Sequence, residues 1–301
     1  MSSHGNYNNK THLRIMLFAI VLLGLAGNGV AASRPPGKEE TLDFPGAKVT
    51  VAYGINAAGD VVGTYVDASG ISHGFLLSEG EYTTIDPPGA VSTEARGINA
   101  RGEIVGDYVA SDHKIHGFRF GREAFTNIDV PDHMNTIAVK ISSKGVIVGC
   151  FHDTDTMGTM HGFVRHGETI TRNETPASMN NGITLRGDVA GFYTDLMSMT
   201  THAYIISKGE TTQFDYPGSP ATRAWDLNPR GEAVGFYLDK STGTLRGFAY
   251  RKGKFRAIDI AGAKSTRPFG INRQGEIVGA YVDQSGATHG FLLTKDDGED
   301  E

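Results

Sequence analysis

Gly97-Ile98-Asn99-Ala100-Arg101-Gly102-Glu103-Ile104-Val105-Gly106-Asp107-Tyr108 is the stretch from which the fold can be read. A turn later comes His116-Gly117-Phe118, and then Ile128-Asp129-Val130-Pro131. The same words recur six times along the chain. Aligned on one glycine they fall at Gly63, Gly106, Gly149, Gly191, Gly235 and Gly279, at intervals of 43, 43, 42, 44 and 44 residues. A unit of this length is one supersecondary element that cannot bury its own faces, so the units must stack.

The second unit divides into four short strands, roughly 93–99, 103–109, 115–120 and 124–130, separated by turn residues. Asn99-Ala100-Arg101-Gly102 makes the first hairpin turn; Asn56-Ala57-Ala58-Gly59 and Asn228-Pro229-Arg230-Gly231 are its counterparts. Strand two is apolar on both faces (Val61, Val62, Tyr65, Val66), as a sheet between two neighbours should be. No stretch after residue 32 holds a 3.6-residue apolar period, so no helix is expected.

Four strands in about 43 residues match a propeller blade. The last unit stops after His289-Gly290-Phe291-Leu292-Leu293 without a fourth strand, and a surplus fourth strand, Thr41 to Ala47, precedes the first. Pairing the two predicts a single all-β, six-bladed propeller over 41–293, closed by its N-terminal strand, which removes the exposed strand edges an open array would carry.

The Gly-Ile-Asn, Val-Gly-x-Tyr, His-Gly-Phe and Ile-Asp-x-Pro-Gly phrases resemble the bacterial extracellular HAF repeat family, named for a His-Ala-Phe triplet. His202-Ala203-Tyr204 stands nearest to that triplet. The resemblance implies an exported repeat protein and carries no catalytic residues with it.

The N-terminus reads as an export signal. Lys10 and Arg14 precede an apolar run from Ile15 to Gly27, followed by Val30-Ala31-Ala32 at the cleavage positions. Thirteen apolar residues are short for a membrane span, which needs roughly 20. Residues 1–32 are therefore expected to be removed, 33–40 to form a linker and 294–301 an acidic disordered tail, giving a secreted or periplasmic monomer with no transmembrane span. Loss of 1–32 moves the net charge from −6 to −8. No clustered basic face is apparent in the sequence, so nucleic acid is not an expected partner. The single cysteine, Cys150, reads as a small buried hydrophobe.

No catalytic or phosphate-binding motif is present. The repeated histidines, and the aspartates before the Pro-Gly turns, read as structural elements, the latter capping backbone amides. A discrete site should come from positions where the units differ. Strand one should be innermost and line the channel. Three places before the Gly-Ile-Asn glycine stand Val51, Glu94, Ile137, Met179, Arg223 and Arg267; one place before stand Tyr53, Arg96, Val139, Asn181, Trp225 and Phe269. Period-two alternation puts both sets on one face. Arg223, Arg267 and Trp225, with Glu94 and Arg96, form the expected ligand site, suited to a carboxylate, phosphate or acidic sugar.

The expected function is a non-catalytic, exported binding module using this mouth and the loops of units three and four, with no cofactor. The alternative is an extracellular hydrolase or lyase on an acidic glycan, with Glu94 as acid or base. The loops bearing His152, Asp153, Asp155, Met157, Met160, Met197 and Met199 are a second irregular surface, fit for a metal or for an adaptable protein contact.

Overall fold

The computed structural model describes residues 38–154 and 159–294. The expected signal peptide, the acidic tail from Lys295 on, and Asp155 and Met157 lie outside the described residues. Among the described residues there are twenty-four strands and no helix.

Each unit is a four-stranded antiparallel meander. In the second unit the strands run Ser92–Ile98, Ile104–Val109, Ile115–Gly121 and Ala124–Asn127, each paired with the next. Units two to five are separate four-stranded sheets. The strands of units six and one fall in one eight-stranded sheet, joined by a single parallel pair, Val49 with Thr288. Glu39–Leu42 pairs antiparallel with Thr288–Leu293. That strand starts two residues earlier than expected and ends at Leu42, because Phe44 to Ala47 close into a turn.

The repeated words have separate structural duties. The Asn99 side-chain oxygen accepts the amides of Arg101 (2.8 Å) and Glu103 (3.1 Å) and so shapes the hairpin turn, in which Gly102 takes a φ of 73°. Its Nδ2 donates to Glu103 (2.7 Å) and to the Ser142 carbonyl of the next unit (3.1 Å). Asn56 repeats this reach to the Asn99 carbonyl, and Asn272 of unit six reaches the Asn56 carbonyl of unit one. In units one, two and six this asparagine is thus both a turn former and a bond between units.

The phenylalanine of His-Gly-Phe fills the space between sheets. Phe118 lies in a core made by Val62 and Ile85 of unit one with Ala95, Ile98 and Ile104 of its own unit. The same arrangement brings Leu42 and Val278 onto Ala52, Ile55 and Phe75, so units six and one are packed like any other pair. Burying a side chain of this size contributes on the order of 2–3 kcal/mol.

The repeated histidine fastens the outer strand. His73, His116 and His202 each bring Nδ1 to the aspartate thirteen residues on, at 2.7–2.9 Å. The other oxygen of Asp86 and of Asp129 accepts a backbone amide, from Gly74 and Gly117, so the expected cap is half of the aspartate's work. In unit six His289 finds Asp43 of the N-terminal segment instead (2.9 Å), and its Nε2 faces Asp283 at 3.5 Å.

Burial works against charge on the His289 ring, but Asp43 and Asp283 outweigh it and raise its pKa above the usual 6.5. A raised folded-state value means that the contribution is complete below the unfolded pKa and is lost as pH rises through the folded one. The melting temperature should therefore exceed that of an Asp43→Asn variant by more at about pH 6 than at about pH 9, by a few degrees at most for so exposed a pair. An equal gap at both pH values would show that the latch does not use the charged imidazole.

Candidate functional site

The six innermost strands run Val49–Ile55, Ser92–Ile98, Met134–Ile141, Ser178–Ile183, Thr222–Leu227 and Ser265–Ile271. Each neighbours the next, and the last neighbours the first. All six slip register at the same place: Ala52/Gly54, Ala95/Gly97, Ala138/Lys140, Asn180/Gly182, Ala224/Asp226 and Pro268/Gly270. The skipped residues are Tyr53, Arg96, Val139, Asn181, Trp225 and Phe269. A bulge re-aims the extra side chain, so this layer is set by a recurrent bulge and not by the plain alternation expected from the sequence.

At the Gly-Ile-Asn level the inner strands nearly touch. A Cβ on Gly97 would stand 2.5 Å from the Val139 carbonyl, and one on Gly182 2.8 Å from the Asp226 Cα. Two units break the glycine rule, with Lys140 and Asp226. The Lys140 ammonium lies 3.2 Å from Asp226 and donates to the Tyr53 carbonyl at 2.8 Å, so units three, five and one meet at one point. Asp226 also accepts the amides of Leu227 and Ile271. Burial pushes its carboxyl up, against the pull of Lys140. This buried pair closes the channel floor.

Above the floor the channel is filled with rings. Trp225 stacks on Phe236 (5.5 Å between centroids) and Phe192 (6.2 Å) and meets the edge of Phe269 (5.0 Å). Tyr53 leans on Phe269 at 5.1 Å. Val139, Met179 and Cys150 complete the packing. Burial pushes the Cys150 thiol up to about 12, in keeping with an unreactive core residue.

The mouth divides into two parts. On one side the Glu94 carboxylate lies 2.8 Å from Arg96, which is also ion-paired with Asp107 and lies over the Tyr53 ring at 5.2 Å. Burial pushes Asp107 up to about 6, with Arg96 opposing. On the other side Arg223 lies over Phe192 (5.1 Å) and Arg267 over Phe269 (5.8 Å). Neither has a carboxylate within 4.0 Å among the described residues, and both Nε atoms are buried with no hydrogen-bond partner. Burial lowers the pKa of both; the neighbouring Tyr53 partly offsets this at Arg267.

Of the five expected site residues, Arg223, Trp225 and Arg267 share the aromatic recess. Glu94 and Arg96 are committed to each other. A Glu94 carboxylate facing the two arginines across an open channel, as the enzymatic alternative requires, is not what is found: Arg96 holds it and rings fill the space between. Lys140 and Asp226 are not among the expected site residues; their signal in the sequence is that two opposite charges replace a repeated glycine.

The loops of units three and four differ from one another. Asp153 is bracketed by His161 (2.9 Å) and His133 (3.4 Å), while His152 points its Nδ1 at the Asn135 carbonyl (3.5 Å). Among the described residues no group of three or more His, Cys, Asp or Glu side chains is placed to hold a metal ion. In unit four Asp195 accepts the amides of Met197 and Ser198 and shapes the loop. That loop holds Leu196, Met197 and Met199 exposed, at 58%, 96% and 71%.

No protein-family model matches the chain, and no curated protein matches it in sequence. Solved structures do. AofleA from Arthrobotrys oligospora superposes with a TM-score of 0.54 at 10% identity, over 85% of this chain and 86% of that one. The β-propeller domain of the Trilobed protease from Pyrococcus furiosus gives 0.50 at 10% identity, over 85% and 95%. The SapL1 lectin, solved with α-methyl fucoside, gives 0.50 at 12% identity, over 78% and 88%. At these identities the likeness is one of fold, and the fold is a β-propeller.

The floor pair generates a test. Removing one partner strands the other charge in the interior, so Lys140→Met or Asp226→Asn alone should cost about 3–5 kcal/mol in urea unfolding. The double variant should cost clearly less than the two single losses together. Additive losses would show that the two side chains act independently.

Proposed function

We propose that the chain is a six-bladed propeller, closed by its N-terminal strand, which binds a small anionic ligand at the channel mouth without catalysing its conversion. The observation that carries this reading is the pair Arg223 and Arg267. They are half-buried guanidinium groups on adjacent units, with orphaned Nε donors and no carboxylate within 4.0 Å among the described residues. An unanswered buried donor costs about 1–3 kcal/mol, more when charged, and a carboxylate or phosphate restores it through forked hydrogen bonds. The aromatic floor adds a surface on which a ring can lie.

A lectin among the fold neighbours holds a methyl fucoside, so a sugar is a ligand class this architecture accommodates. An acidic sugar satisfies both demands here: its carboxylate for the arginines and its ring for Trp225. The exposed Leu196-Met197 loop on the same face supplies an adaptable protein contact beside the mouth. Export and kinship with the HAF repeats belong to the same proposal and rest on the N-terminal pattern and the repeated phrases.

Trp225 is the only tryptophan and lies in the recess, so its emission reports occupancy directly. Glucuronate, galacturonate, citrate and phosphate should be titrated, following Trp225 fluorescence and melting temperature together. A ligand at a hundred times its Kd stabilises by about 2.7 kcal/mol, or roughly 5–10 °C for a domain of this size. Both signals should vanish in Arg223→Ala/Arg267→Ala. No response to any of the four, or a response that survives the double substitution, would sink the proposal.

A further inference from the structure

The hairpin joining the last two strands of unit five departs from its counterparts. Its strands are Thr244–Arg251 and Lys254–Ile258, turning through Lys252 and Gly253, both with positive φ. Arg251 is paired directly opposite Lys254, and Ala249 opposite Arg256. Like charges directly opposite on a ladder are destabilising. The corresponding pairs elsewhere are Ser78 with Glu81, Gly121 with Ala124, His166 with Thr169, and Ser207 with Glu210. Unit five alone sets two fixed cations across the ladder.

These residues border a groove with Glu232, Ala249 and the edge of Phe255. Arg256 is taken by Glu232 at 3.2 Å, whereas Arg251, Lys252 and Lys254 are exposed and have no acidic partner among the described residues. The corresponding groove of unit two holds fewer free cations: Arg119 and Arg101 both pair with Glu103, and Arg122 is its one lining cation without an acidic partner among the described residues. An uncompensated trio of cations on a chain of net charge −6 is a local inversion of the molecule's own field, and its cost is relieved by an anion.

We propose that this hairpin is a second binding site, for a linear carboxylated polysaccharide. The three cations suit a row of carboxylates. Single-stranded nucleic acid is the poorer fit, since it wants an exposed aromatic platform. Phe255 is covered instead by Tyr250 (4.9 Å), Tyr216 (5.1 Å) and Phe248 (5.3 Å). The site is on a different part of the chain from Arg223 and Arg267 and does not depend on them.

The experiment is fluorescence anisotropy of a labelled alginate oligosaccharide titrated with the purified protein at low salt, with unlabelled oligothymidylate and anionic vesicles as competitors. Saturable binding is expected, weakened roughly tenfold or more in Arg251→Ser/Lys254→Glu, which installs the pair of unit four. A Lys252→Asn variant, in which asparagine tolerates the positive φ, should weaken it less, and the loss in Arg251→Ser/Lys254→Glu should persist when both proteins also carry Arg223→Ala/Arg267→Ala, which removes uronate binding at the channel mouth. A melting curve on each variant separates loss of binding from loss of fold. No binding, binding indifferent to the hairpin substitutions, or equal competition by oligothymidylate or vesicles would overturn the assignment.

Discussion

The inner strands approach one another so closely that backbone meets backbone at the Gly-Ile-Asn glycine, and the rest of the molecule is arranged around that approach. A side chain at Gly97 would run into the Val139 carbonyl, and one at Gly270 would stand 2.9 Å from that of Tyr53. With the strands pressed together there, sheets splay outward, and the wedges between them are filled by Phe75, Phe118, Phe163, Tyr204, Phe248 and Phe291. The asparagine two places on then stitches one turn to the next. Each repeated word answers a steric or hydrogen-bonding demand that recurs because the geometry recurs.

That is also why so much of the architecture was legible. Strand number, turn positions and the partnership of the N-terminal segment with the last unit followed from a period and from one missing strand. The recurrent bulge was not legible, since an extra residue in a ladder leaves the hydrophobic pattern almost intact. Nor was the pairing of His73 with Asp86 or of His289 with Asp43. Each word was visible, but only the fold brings residues thirteen or 246 apart to one place. Unit three shows the dependence in reverse. It lacks the aspartate, and His161 turns to Asp153 instead.

The site was legible in part, for a physical reason. Arginines at channel positions announce themselves, and Arg223 and Arg267 lie in the recess with Trp225. Whether a charged residue is free or already engaged depends on a partner in another strand. Glu94 looked available and is held by Arg96, and Arg96 is held in turn by Asp107. Lys140 and Asp226, which interrupt the glycines, turn out to spend their charges on each other. The unpaired arginines stand out because so many of the remaining side-chain charges have found an answer within the protein.

Closure through Glu39–Leu42 imposes a history on the molecule as well as a shape. The segment that completes the last sheet is synthesised before the other strands among the described residues and must wait for Thr288–Leu293, some 250 residues later, before it has a partner. Local hairpins can assemble as they emerge, but the circle cannot, so the slowest step of folding should be a long-range docking that burdens the route with high contact order. The same latch governs the way back. Without Glu39–Leu42, the edge of Thr288–Leu293 is a strand template for another chain, so these four residues cover the edge that closure would otherwise leave open.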